Sequence, residues 1–210
     1  MKKPYVIVIA HQKGGVGKST VAANLAVEID KKTTLNVVDL DTQKSLSYFN
    51  SLRKESGLKE FNIINANSSE ELKKIINKNE DVLLIDVGGF DSDVNRIAML
   101  GADLIITPVS DSGVELVGLL AFRNILRDIR EHRQDLVASV LLNRIHPSAT
   151  TSLDSITNFI NENCEFSKLN SVLRDRVDYK HAFDSGKSVI EHKGKAKDEM
   201  NKLIMEVING

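Results

Sequence analysis

"HQKGGVGKST", residues 11–20, lies between the apolar run "YVIVIA" (5–10) and the helix-like stretch "KSTVAANLAVEID" (18–30). A strand that runs into glycines and then into a helix is the setting in which a loop closes around phosphate. Glycines let successive backbone N–H groups turn inward as a cradle for phosphate oxygens. A helix beginning near Lys18 adds the positive end of its dipole. Gly14, Gly15, Val16, Gly17, Lys18, Ser19 and Thr20 are therefore the candidate nucleotide-binding residues. Lys18 would meet the β- and γ-phosphates, and the Ser19 hydroxyl would hold Mg²⁺. A glycine-rich turn with no ligand is the plain alternative. The stretch departs from the common pattern in two ways: Gln12 stands where a glycine is usual, and a second lysine, Lys13, precedes Gly14.

Outward from this loop, short apolar runs alternate with helical patterns. Residues 5–10, 35–40, 61–65, 81–86, 103–109 and 136–143 read as strands, most of them apolar on both faces. That is the pattern of parallel strands covered by helices. Residues 18–30, 68–78, 114–132, 151–163 and 195–208 read as helices, the second opening on Ser68 and Glu71 at capping-box spacing. The expectation is an α/β fold with a mostly parallel sheet flanked by helices, of the P-loop NTPase type. At 210 residues, without an internal repeat or a linker-like segment, one domain over 1–210 is expected. Ligands of such sheets bind beyond the C-terminal strand ends.

Two acidic motifs fall at such ends. "VVDLDTQKS" carries Asp39 and Asp41, two residues apart and so on one side of a strand. Asp39 is read as either a Mg²⁺ support or the cap of a turn. "DVLLIDVGGFDSD" is an apolar strand ending in an acid, the Walker B shape, with Asp86 placed to bind Mg²⁺ through water. Gly88 and Gly89 after it permit a tight turn.

Lys13-Gly14-Gly15 ahead of Gly17-Lys18-Ser19 resembles the deviant Walker A box of the ParA/MinD group of P-loop ATPases. Asp41 and Gln43 match that group's second acidic motif, with Thr42 in place of its usual proline, and the likeness extends loosely to about residue 192. The resemblance to the short ParA partition proteins implies ATP and Mg²⁺ as cofactors. It implies a homodimer formed on ATP, in which Lys13 reaches the partner subunit's phosphates. Lys13, Lys18 and Asp41 are then the catalytic residues, Asp41 acting on the attacking water or on a water of Mg²⁺. Ser19, Asp41 and Asp86 form the metal set. Asn143, in "SVLLNRIHP", is implied as the base contact, with a strand-end cap as the other possibility. The group positions plasmids, chromosomal origins or other cargo, binds DNA non-specifically, and hydrolyses ATP under stimulation by a partner protein. A cytoplasmic, nucleoid-associated location is implied as well. A MinD-like membrane-associated ATPase and a metabolic P-loop ligase are the alternatives.

Composition narrows these classes. The net charge is −1, so DNA contact requires a local patch. Lys187, Lys193, Lys195 and Lys197 face Glu191 alone in that stretch, and Arg174 and Arg176 precede them, offset by Asp175 and Asp178. These six are the DNA-binding candidates, a solvated loop being the other reading. The last helical pattern places Met200, Leu203, Ile204, Val207 and Ile208 on one face. It has no aromatic residue and carries Asp198, Glu199 and Glu206, so it is expected to pack on the protein and not on membrane. Cys164 is the lone cysteine, which excludes a bridged iron–sulfur cluster and an internal disulfide.

Overall fold

The computed structural model describes residues 4–146, 149 and 151–209. Its elements are β1 (Tyr5–Ile9), α1 (Lys18–Lys32), β2 (Leu35–Asp39), α2 (Ser45–Glu55), β3 (Asn62–Ile63), α3 (Ser69–Asn77), β4 (Val82–Asp86), α4 (Asp93–Leu100), β5 (Leu104–Val109), α5 (Glu115–Arg130), β6 (Ala138–Ile145), α6 (Thr151–Asn161), β7 (Phe166–Arg174), α7 (Val177–Asp184), a short 3₁₀ turn (Val189–Glu191) and α8 (Lys195–Asn209). The strands form one sheet in the order β3-β2-β4-β1-β5-β6-β7. Every pairing is parallel.

The strands are rich in Val and Ile because both faces of the sheet are covered. Along β1 the side chains alternate between two cores. Ile7 and Ile9 pack with Leu25 of α1 and with Met200 and Leu203 of α8. Val6 and Val8 pack on the opposite face with Met99 of α4 and with Phe122 and Leu126 of α5. This alternation places β1 at the centre of both layers. Its C-terminal end opens between those of β4 and β5, where the sheet order reverses.

The sequence pattern did not announce α2, β7 and α7. β7 reads "FSKLNSVLR", with exposed Ser167 and Lys168, because it is an edge strand. Its backbone is covered by the acids of α8. Glu206 accepts the N–H groups of Asn170 (2.7 Å) and Ser171 (2.9 Å), and Glu199 accepts that of Arg174 (3.1 Å). Met200, Leu203, Ile204 and Val207 are buried, so α8 packs on the body as expected, and its glutamates serve the sheet edge. Among the described residues no helix is long and apolar enough to cross a membrane.

One buried arginine fastens the C-terminal segment. Arg53 of α2 donates to the carbonyls of Lys59 and Gly186, each at 3.0 Å, and to Glu191 at 2.9 Å. Removing the guanidinium leaves the Gly186 carbonyl unmatched and takes from Glu191 its nearest cation, leaving it the Ser188 N–H (2.9 Å) and the more distant Lys31 (3.8 Å), a cost of about 3 kcal/mol. Arg53→Ala should therefore lower the midpoint of thermal unfolding by roughly 6–12 °C for a chain of this size. Calorimetry of the two proteins checks this; an unchanged midpoint would show that the segment is held elsewhere.

Candidate nucleotide-binding site

The loop after β1 is held from the side by the end of β6. Gly17 adopts a left-handed conformation (φ 93°, ψ 24°) immediately before α1. A Cβ there would also stand against the Asn143 amide. Glycine alone satisfies both demands. The same Asn143 Nδ2 donates to the Val16 carbonyl at 2.8 Å. From the other side the loop after β4 lies directly on it: a Cβ on Gly89 would come within 2.9 Å of the Gly14 nitrogen. Neither Gly88 nor Gly89 has a positive φ, so the reason for Gly89 is close approach of two backbones and not the turn that the sequence suggested.

These contacts frame a cavity of about 840 Å³ beyond the strand ends. Gly14, Gly15, Gly17, Lys18, Ser19 and Thr20 line one wall, with Asp41 and Asn143 beside them. Val16 is buried under the loop. The far wall comes from residues 174–177 and from α7, including Tyr179 and Phe183. Arg174 and Arg176, grouped from sequence with the basic stretch 187–197, thus lie at the cavity, and Arg176 pairs with Glu199 at 2.6 Å.

The floor is electrostatically tense. Lys18 is buried, donates to the Lys13 carbonyl at 3.1 Å, and has its pKa lowered by desolvation against the opposing pull of Asp86 and Asp41. Asp86 is fully buried, and neither carboxylate oxygen closes a hydrogen bond. Burial pushes its pKa from 3.8 up to about 7, the nearby Ser19 hydroxyl pulling it part of the way back. Asp39 is engaged differently. Its Oδ2 accepts from Ser47 N–H (2.8 Å) and Oγ (2.7 Å), and its Oδ1 accepts from Asp41 N–H (3.2 Å). Of its two expected roles it takes the capping one, at the start of α2. The Asp41 carboxylate accepts the Gln43 N–H at 2.9 Å, its carbonyl accepts the Lys44 N–H at 3.0 Å, and the residue lines the cavity.

Lys13 does not line the cavity. Its ammonium pairs with Glu115 Oε1 at 2.7 Å, an oxygen that also accepts from Ser110 Oγ at 2.9 Å. The Glu115 side chain is 2% exposed and that of Lys13 is 38% exposed. The Lys13 N–H is donated to His11 Nδ1 at 2.9 Å. Burial, then the charges of Lys18 and Lys13, lower the His11 pKa to about 3, which keeps the ring neutral and able to accept. Glu115 escapes a reading of the sequence because it stands 102 positions from Lys13 and belongs to no motif. Of the four lysine candidates, Lys193 and Lys195 are exposed, Lys187 and Lys197 half-buried. None of the four forms an ion pair among the described residues.

A parallel sheet whose central strand feeds a glycine loop and a helix, with acids closing neighbouring strands, defines a P-loop nucleotide-binding protein. The chain belongs to the CobQ/CobB/MinD/ParA nucleotide-binding domain family, whose model matches residues 7–189. It is 24% identical over 212 residues to the maintenance of carboxysome distribution protein A of Halothiobacillus neapolitanus, covering 98% of this chain and 97% of that protein. Its fold is shared with an ATP complex of a McdA variant from Cyanothece (TM-score 0.76, 16% identity, 100% and 98% of the two chains covered). It is shared too with a plasmid partition protein from Borrelia burgdorferi (TM-score 0.71, 18% identity, 99% of each chain covered).

Asp86→Asn should separate stability from binding. A carboxyl raised to about 7 in the fold from 3.8 stabilises the native state at acid pH, and that contribution is lost as pH rises through 7. At pH 8 the neutral amide should therefore raise nucleotide-free stability by about 1–3 kcal/mol, and at pH 5 most of that gain should vanish. Urea titrations at the two pH values check this. Equal or lower stability of the variant at pH 8 would show that the ionised carboxylate is compensated.

Proposed function

We propose that this chain is an ATP-dependent positioning ATPase that dimerises on ATP, binds DNA without sequence preference and hydrolyses ATP slowly until a partner protein stimulates it. The observation that carries the reading is Lys13: a second cation at the phosphate loop, outside the cavity and tied to Glu115 at 2.7 Å. One lysine, Lys18, already serves the cavity. A second one beside it has its use on phosphates that this subunit does not hold, where it links nucleotide state to association.

The residues present fit ATP and Mg²⁺. The glycine cradle, Lys18 and the α1 N-terminus suit a polyphosphate. Ser19 and the unpartnered Asp86 carboxylate suit a cation bound partly through water. Mg²⁺ supplies charge neutralisation of the phosphate oxygens when bound. Lys18 orients the β- and γ-phosphates, and Asp41, free on its cavity side, orients the attacking water. Asn143 offers its carbonyl oxygen to the adenine amine, its amide nitrogen being engaged with Val16.

Lys187, Lys193, Lys195 and Lys197 are assigned to DNA phosphates, with Arg174 and Arg176 nearer the nucleotide. Such contacts give salt-sensitive binding indifferent to sequence. The relative named for carboxysome distribution and the plasmid partition neighbour support a role in distributing cargo; the location proposed with that role is the cytoplasm, associated with the nucleoid through the DNA contact. The apolar face of α8 is buried in the core and so is not offered to a membrane.

The test is hydrolysis and binding across variants. Lys18→Ala should lose ATP turnover by about 100-fold or more, as removal of a direct phosphate contact does. Asp41→Ala should retain ATP yet fail to hydrolyse it. Exchange of Lys193 and Lys195 for glutamate should weaken binding to an arbitrary DNA duplex and flatten its salt dependence. Undiminished turnover in Lys18→Ala would overturn the site; DNA affinity insensitive to both lysines and salt would overturn the DNA contact.

A further inference from the structure

Arg144 is the residue after Asn143 and, with Lys44, one of two non-glycine residues of positive φ among those described (φ 57°). Arginine gains nothing intrinsic from that conformation, which L side chains adopt at a cost and which persists where the surroundings impose it. Its side chain is 56% exposed, and its backbone lies where the β6–β7 register shifts between Leu142 and Ile145. The guanidinium Nη1 donates to the Gly15 carbonyl at 3.0 Å, and Nε stands 3.7 Å from Asp175 Oδ1. Two consecutive residues at the end of β6 therefore hold two consecutive carbonyls of the phosphate loop: Arg144 that of Gly15, Asn143 that of Val16.

A trans peptide unit is planar, with its C=O and N–H pointing in opposite directions. A carbonyl drawn to Arg144 turns the N–H of the same unit, carried by Val16, to the side away from the guanidinium. The Asn143 contact does the same for the N–H of Gly17. Gly15 (φ 78°) and Gly17 (φ 93°) supply the backbone freedom that two successive inward amides require. We propose that Arg144 is a positioning residue of the nucleotide site, whose left-handed backbone is retained because it brings the guanidinium back over the loop and fixes the Val16 amide toward the phosphates. This rests on the reading of the cavity as an ATP site. Arg144 itself also lines the cavity, and the role proposed for it runs through the loop.

The strain gives a test that separates positioning from structure. Arg144→Gly removes the guanidinium and relieves the positive φ together. Without nucleotide it should melt at the wild-type temperature or above. Its affinity for Mg·ATP and Mg·ADP should fall by about tenfold, the loss of one charge-assisted contact that orders the loop. Arg144→Lys, which keeps a donor, should recover part of that affinity. Titration calorimetry and thermal melts of these proteins, with Lys18→Ala alongside, supply every readout. Wild-type affinity in Arg144→Gly, with Lys18→Ala unable to bind, overturns the proposal alone. A lowered nucleotide-free melting temperature in Arg144→Gly assigns the residue to structure. A wild-type protein that binds no Mg·ATP overturns the nucleotide site itself.

Discussion

The pairing of β1 with β4, in a register that sets Ile9 opposite Asp86, is the constraint on which the site depends. It places the last residue of one strand, an acid, beside the strand that carries the phosphate loop. β2 adds Asp39 opposite Asp86 on the other side, so two acids close adjacent strands. Packing of the two cores holds this register, because a slip of one residue would exchange the side chains between them. The chemistry thus rides on packing: the residues that place Asp86 beside Lys18 are Val6, Val8, Leu83 and Ile85 on one face and Ile7, Ile9 and Leu84 on the other.

Charge at this crevice falls into two groups of unequal solvent access. Lys18 and Asp86 are buried together without a direct hydrogen bond between them, an arrangement that leaves both able to accept new partners. Lys13 and Glu115 form a closed pair. For Lys13 to reach phosphates of a second subunit it must leave Glu115. The half-exposed ammonium gives up little by moving, since water can solvate it. Glu115 gives up more, because its carboxylate is buried and its Oε2 already lacks a partner. A multiply charged polyphosphate in a desolvated interface is the kind of ligand that offsets such a loss. In the dimer proposed above, ATP dependence of association arises from that balance.

The chain announces its nucleotide loop and most of its sheet. The loop is legible because its spacing is local: glycines, lysine and serine within residues 14–19, between a strand and a helix. Asp86 is legible because an apolar run ends on it. The hidden features are non-local or weakly patterned. The edge strand β7 mixes Ser, Lys and Asn with its apolar residues, and α2 begins after Lys44 in a left-handed conformation instead of behind a Ser, Thr or Asp cap. The far wall of the cavity, built from the residues after β7, is therefore invisible in the sequence, where Arg174 and Arg176 group with the lysine stretch. Glu115 and Arg144 act through contacts that span more than a hundred positions, which no spacing rule reaches. Asn143 reads from sequence as a base contact or a strand-end cap, and its amide proves to hold the loop backbone.

The central claim is that Lys13 serves association and not nucleotide retention. Sedimentation velocity of the wild type and of Lys13→Ala, each with Mg²⁺ and a non-hydrolysable ATP analogue at saturating concentration, measures it directly. The wild type should shift from monomer to dimer, whereas the variant should bind the analogue and sediment as a monomer. A Lys13→Ala protein that dimerises with the wild-type dependence on nucleotide would contradict the claim.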